Sequence, residues 1–395
     1  MDAFSRLRTS HPFGLFAVQC QYSLETLVME GGATGTGGAP AHNANTRMVA
    51  LVVNAGTGVS FFQSYEYIPY QPGKSQLVEI TGVLTAAVAN VVIDIGIGDA
   101  NNGIFYRQNG TTGLAFIRRT STSGSVVNNS VVQSSWSVDK FDGTGPSGIT
   151  IDATMSFILV IDAQFLSMGR VRCGFSVHGQ VYWAHEFRNA NVIAVPYMQT
   201  LNLPVSMTVT ATVSAGAKTA YFKCAAVASE GGVENLGYQW SSGEQLVSAG
   251  NETRTALLSI RPFLTFNGLT NRIAIQILSI DILVTGANSV RWELCIGSTF
   301  TVAPTWPGAA LHVHTGAEIS TAPGTLNVHG FALDAGYVAA SGAVTGSDDV
   351  TFHRRVPITL NRAGANHANG TLTLVVLGCG GASNCRGLIN YTESR

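Results

Sequence analysis

Residues able to do chemistry are few in this chain, and their spacing argues against most reactions. Glycoside hydrolysis needs two acids roughly 5–9.5 Å apart. The pairs near in sequence are Asp139 with Asp142 and Asp152 with Asp162, while Asp348 and Asp349 stand close to His353. Asp139 and Asp142 border the glycine-rich run DGTGPSG at 142–148, where an aspartate ordinarily bonds to nearby backbone. His312 and His314 are two apart and would leave one face of a strand, with His329 and His353 as further candidates. Order alone supplies no third ligand for zinc or calcium. An ion ringed by this pair from three subunits is an alternative, but surface or hydrogen-bonded histidines are the expectation. The GKS of YQPGKSQ (70–76) lacks the earlier glycine and following helix of a phosphate loop, and Pro72-Gly73 reads as a turn. Gly96-Ile97-Gly98 leads into DANNG rather than a helix, so it is no dinucleotide fingerprint. No catalytic, cofactor-binding or metal-ligating residue is assigned, and the protein is expected not to be an enzyme.

Composition narrows the partners. Lys+Arg 22 against Asp+Glu 23 leaves a net charge of −1, and only 11% of the 395 residues are charged. The four lysines (Lys74, Lys140, Lys218 and Lys223) and the scattered arginines form no basic stripe, which disfavours nucleic acid. A soluble monomer usually carries more surface charge, so copies of the chain or a larger assembly are expected to cover much of the surface. No run of 18–20 apolar residues could span a bilayer. The opening MDAFSRLRTSHPFGLF lacks a signal peptide's apolar segment, so secretory export is not expected. The six cysteines (Cys20, Cys173, Cys224, Cys295, Cys379 and Cys385) fit small buried thiols of a protein made in a reducing cytoplasm.

The elements that would position these residues are strands. Val91, Ile93, Ile95 and Ile97 alternate with Val92, Asp94, Gly96 and Gly98. The same period of two runs through 171–178, 205–214 and 371–376, predicting sheets with one dry and one polar face. Many short strands between Gly, Asn, Ser and Asp turns predict an all-β chain of two antiparallel β-sandwich (jelly-roll-like) domains with little helix. The run GGATGTGGAPAHNANT at 31–46 reads as a loop or flexible arm. A composition change near 229–253 puts the domain boundary around 236–245. The resulting division is an anchoring arm at 1–30, a first sandwich at 31–240 and a second at 241–395.

The run DAFSRLRTS (2–10) resembles the DAFGRLR-type opening of a family of tailed-phage virion proteins, frequent in marine phages, with Ser5 where the family commonly has Gly. The likeness continues in YQPGKSQ (70–76), RTSTSG (119–124), DGTGPSG (142–148), GRVRCGF (169–175), NLPV (202–205), SEGG (229–232) and the stretch 259–272. It covers most of the chain and is loosest over the last hundred residues. It implies a virion structural protein, often labelled a tail, fibre or uncharacterised particle component, without settling head against tail. The expectation is a non-enzymatic structural subunit of a tail-side fibre or appendage, made in the host cytoplasm. The alternatives are a capsid-surface decoration or vertex protein, or a receptor-binding or glycan-degrading spike. The implied partners are copies of itself, with a homotrimer preferred, other virion proteins, and in the spike reading a host surface glycan.

Two sets of residues are expected to make contacts. Phe4 and Leu7 would fill a pocket on a neighbour while Arg6 and Arg8 pair with its carboxylates. In FFQSYEYIPY (61–70), Phe61, Tyr65 and Tyr67, followed by Tyr70, form an aromatic group suited to a subunit interface more than to sugar stacking. Trp183, Trp240, Trp292 and Trp306 are read as core or interface. Deleting residues 1–16 is expected to abolish incorporation into particles without unfolding the subunit. Normal incorporation of the truncated chain, measured on purified particles, would refute the anchor.

Overall fold

In the computed structural model, which describes residues 12–213, 215–232, 237–307, 314–341, 343–346 and 358–394, the protein is all-β. The described helical turns are the single 3-10 turns Gln133–Ser135 and Ala368–Gly370. No helix among the described residues is long and apolar enough to cross a membrane. The chain divides into two compact units, Met1–Glu234 and Asn235–Arg395.

The first unit contains strands β1 (Phe13–Gln19), β2 (Met29–Asn43), β3 (Met48–Ser64), β4 (Ser75–Val83), β5 (Val91–Gly98), β6 (Gly103–Asn109) and β7 (Gly113–Thr120). It continues with β8 (Val127–Val132), β9 (Phe157–Gln164), β10 (Val171–Val177), β11 (Gln180–Phe187), β12 (Val205–Ala211) and β13 (Lys218–Ser229). All pair antiparallel, in the order β11-β10-β9-β4-β13-β3-β12-β5-β6-β7-β8, with β1 on β13 and β2 on β3.

One hairpin joins two layers. The first part of β3, from Val49 to Val53, pairs with β13, whereas Gly58 to Gln63 pairs with β12. Strand β2 follows both parts, with shifts of register at Gly35/Gly37 and Gly38/Ala41. The hairpin therefore bends out of one sheet and into the other, as strands do at sandwich corners. Tyr106 of β6 and Phe175 of β10 show the result. Six strands separate them along the sheet, roughly 30 Å if it were flat, yet their ring centroids lie 5.1 Å apart. Around them pack Phe116, Trp136, Phe141 and Phe157.

Glycine makes the bend possible. Gly35 and Gly56 have φ of +59° and +113°, which side chains rarely adopt. A Cβ on Gly37 would sit 2.1 Å from the Val59 carbonyl oxygen. Thus 31–46, read above as a loop or arm, is mostly a strand. Its glycines remove the alternation that marks strands, and the hidden reason for them is close backbone approach. Residues 13–19 likewise belong to the first unit through β1. A truncation that tests the anchor and spares the sheet must end before Phe13. Phe4, Arg6, Leu7 and Arg8 lie outside the described residues.

The second unit stacks two sheets. One contains Tyr238–Ser241, Gln245–Ala249, Ser383–Ser394, Ala274–Val284 and Ala343–Gly346. The other runs in the order Ala317–Ile319, Thr255–Pro262, Leu372–Gly378, Val290–Ile296 and Phe331–Val338. Leu258, Ile260, Leu294, Leu374 and Val376 of the second meet Ile275, Ile282, Ile389 and Tyr391 of the first in one core.

A lysine is buried in the first unit. Lys218 is 4% exposed, and its Nζ donates to the Ala86 carbonyl and to Gln108 Oε1. No carboxylate pairs with it among the described residues, and burial pushes its pKa down from 10.5 to about 8. Between those values the unfolded chain holds more protons at this position, so its contribution makes stability rise with pH. The buried thiols and phenols act oppositely. The stability difference between wild type and Lys218→Met, measured by denaturant unfolding, is therefore expected to grow in favour of wild type from pH 8 to 10. A pH-independent difference would show that the amine keeps its proton equally in the folded and unfolded states, and would refute the lowered pKa.

Candidate functional site

Of the four paired acids, Asp139, Asp142 and Asp152 are held by local structure and Asp162 by an ion pair. Asp139 accepts from the Phe141 amide (2.8 Å) and the Ser147 amide (2.7 Å), closing the DGTGPSG turn. A Cβ on Gly145 would fall 2.1 Å from Asp139 Oδ1, which accounts for the second glycine there. Burial raises the Asp139 pKa, but the two amides outweigh it and the net shift is downward. Asp142 and Asp152 each accept from the amide and hydroxyl of a threonine two residues on, which lowers their pKa values. Asp162 pairs with Arg172, whose guanidinium lies 4.2 Å from the centroid of the Trp183 ring. Each of these carboxylates is thus fixed as a hydrogen-bond or ion-pair partner. Asp348, Asp349, His312 and His353 lie outside the described residues, and His314 is exposed. No cluster of three metal-ligating side chains occurs among the described residues.

The other motifs resolve as turns. Lys74 N donates to Gln71 O across Pro72-Gly73, with Gly73 at φ +86°, the glycine position of a type II turn. Lys74 Nζ is spent on Gln71 Oε1 and the Gly232 carbonyl. After Gly98, Asp99 Oδ1 accepts from the amides of Asn101 and Asn102 and closes the β5–β6 hairpin. All six cysteines are free. Burial pushes Cys20 up to about 12 and Cys295 and Cys385 up to about 11, which keeps them as inert thiols.

The aromatic group at 61–70 separates in space, because β3 ends at Ser64 and alternation ends with it. Phe61 lies over Gly32, where a Cβ would come within 2.6 Å of its ring. Tyr65 is half-buried. Tyr67 is buried, and its hydroxyl donates to Asp99 Oδ2 at 3.2 Å. Tyr70 accepts from the Leu166 amide and packs edge-on against Phe165, with centroids 5.3 Å apart.

Two surfaces escaped the reading of the sequence. On the outer face of β5–β7, Arg107 grips Asp94 with two bonds of 2.6 and 2.8 Å, and Arg119 adds a third of 2.8 Å. Arg119 also lies 4.6 Å from the centroid of the Phe105 ring. The face expected to be polar carries an ion cluster that is itself largely buried, with Asp94 only 5% exposed. Cross-strand register makes it: Asp94 stands opposite Arg107, and Gly103 opposite Arg119.

The second surface is apolar. The strand Phe331–Val338 ends the order of its sheet, exposing Phe331 by 73% and Tyr337 by 68%. The antiparallel pair Thr299–Val302 and Thr325–Val328 exposes Val302 and Val328. Covering an aromatic ring of this size gains roughly 2–3 kcal/mol.

Neither a protein-family model nor a curated protein matches the chain. Among solved structures, a glycosyl hydrolase family protein from Mycobacterium fortuitum is 13% identical over 54% of this chain and 99% of its own, with a TM-score of 0.36. Peanut lectin is 8% identical over 56% and 98%, with a TM-score of 0.35. A carbohydrate esterase of Shiga toxin-encoding bacteriophage phi24B is 12% identical over 55% and 99%, with a TM-score of 0.31. These likenesses are of all-β fold alone.

The role given to Asp139 can be checked directly. Asp139→Ala leaves two amides without their acceptor and is expected to cost about 1–3 kcal/mol of stability. A carboxylate with a lowered folded-state pKa contributes above its unfolded pKa, near 4, and loses that contribution as pH falls. The gap between wild type and variant should therefore close in acid. A gap that stays constant down to pH 2 would refute the assignment.

Proposed function

We propose that this chain is a non-catalytic structural subunit that assembles with copies of itself, as a homotrimer, in a tail-side fibre or appendage of a tailed-phage particle. The observation that carries the assembly reading is the edge strand Phe331–Val338, which leaves the aromatic side chains Phe331 and Tyr337 exposed. A sheet edge with exposed aromatic residues and one acid, Asp334, is poorly protected against pairing with another chain. An oligomer interface covers such an edge and repeats the same contact by symmetry. The low charge fits the same reading, since few like charges repel between copies. The turn-bound carboxylates support a role without catalysis. Placement in a phage particle rests on the resemblance of the chain's opening and its later blocks to phage virion proteins, a family often labelled as tail or fibre.

Sedimentation velocity at micromolar concentrations tests assembly. Wild type is expected to sediment as a stable oligomer, and Phe331→Asp with Tyr337→Asp to shift it to the monomer without loss of fold. A monomeric wild type would overturn the proposal, as would an oligomer indifferent to both substitutions. Labelling of this subunit on purified particles then distinguishes the tail from the capsid surface.

A further inference from the structure

One end of the first sandwich holds a guanidinium that no described carboxylate neutralises. Arg118 stands two residues after Phe116 on β7, on the core-facing side rather than with Arg119 on the outer face. Its Nη1 donates to Asn189 Oδ1. The amide of Asn189 is locked the right way round, because its Nδ2 donates to the Gly169 carbonyl at 2.6 Å. The guanidinium carbon lies 5.7 Å from the centroid of the Phe187 ring and 5.9 Å from that of Tyr197. Arg118 Nε is buried and has no acceptor.

A second donor in the same place is also unmatched. Tyr197 is 2% exposed, and its hydroxyl is buried without a partner. The ring is held by Phe165, at a centroid distance of 5.4 Å, and the Tyr197 amide donates to the Ser167 carbonyl. Two loops thus close this end, 165–170 and 188–197. They carry the exposed apolar side chains Leu166, Val192 and Val195. A buried guanidinium nitrogen, Nε of the half-buried Arg118, and a buried hydroxyl, each without an acceptor, are costly unless something supplies one.

We propose that this end of the sandwich binds a small carboxylate, which accepts from the Nε–Nη2 edge of Arg118 and from the Tyr197 hydroxyl. The planar guanidinium matches two carboxylate oxygens side by side, and Asn189 leaves that edge unoccupied. The body of the ligand lies toward Leu166, Val192 and Val195, as an aliphatic acid or the ring of an acidic sugar would. This site is independent of the assembly surface, so either proposal can fail alone.

The full chain is titrated calorimetrically with sodium butyrate and with sodium glucuronate, against glucose and sodium sulfate at matched ionic strength. Saturable binding of at least one carboxylate, absent for glucose and sulfate, is expected. The tighter of the two identifies an aliphatic or a sugar acid. Arg118→Gln should weaken binding roughly ten- to hundred-fold. Tyr197→Phe should weaken it less and raise the melting temperature of the ligand-free protein, since it removes an unpartnered buried hydroxyl. If Arg118→Gln does not fold, the Tyr197→Phe comparison still decides. No saturable binding, equal response to sulfate, or unchanged affinity in Tyr197→Phe would overturn the proposal.

Discussion

The corner in the β2–β3 hairpin is the constraint on which the first unit depends. A strand pair can serve two stacked sheets only if its backbone turns sharply while its ladder bonds persist. Gly35 and Gly56 supply the positive φ values, and Gly37 and Gly58 let the chains approach where a Cβ would strike backbone. Once the bend exists, β13 is carried to one layer and β12 to the other. Tyr106 then faces Phe175, and the aromatic core closes between the layers.

Charge is used sparingly, and several of the arginines are pinned. Arg107 and Arg119 share Asp94, while Arg254 and Arg291 share Glu293. Arg172 and Arg261 each combine a carboxylate with an indole, Trp183 and Trp306. Such pairs contribute rigidity and placement more than net stability, because desolvation offsets most of their Coulomb attraction. Hydrogen bonding from Arg254 holds Glu293 below the usual carboxylate range.

Asp139, Asp142 and Asp152 proved to be turn formers for a local reason. A carboxylate two residues before a threonine, or beside a glycine-rich run, meets backbone amides before it meets another acid. This much was legible from DGTGPSG alone. The aromatic group at 61–70 was less legible, because alternation assigns faces only while a strand lasts. Beyond Ser64 the chain bends, and Tyr67 and Tyr70 turn to partners at Asp99 and Phe165 that are distant in sequence.

The sequence by itself determined the all-β class, the strands with clean alternation such as Val91–Gly98, the turn at Pro72-Gly73 and the absence of a phosphate loop around Lys74. These depend on side-chain period and local backbone preference, which neighbours in the chain settle. Tertiary structure alone decided that the glycine-rich 31–46 is mainly a strand, that Asp94 is clamped by two arginines, and that Arg118 and Tyr197 meet at the end of a sandwich. Each of those outcomes depends on which strands lie side by side and on how the layers stack. Pairing between residues of different strands and loops leaves no local period to read.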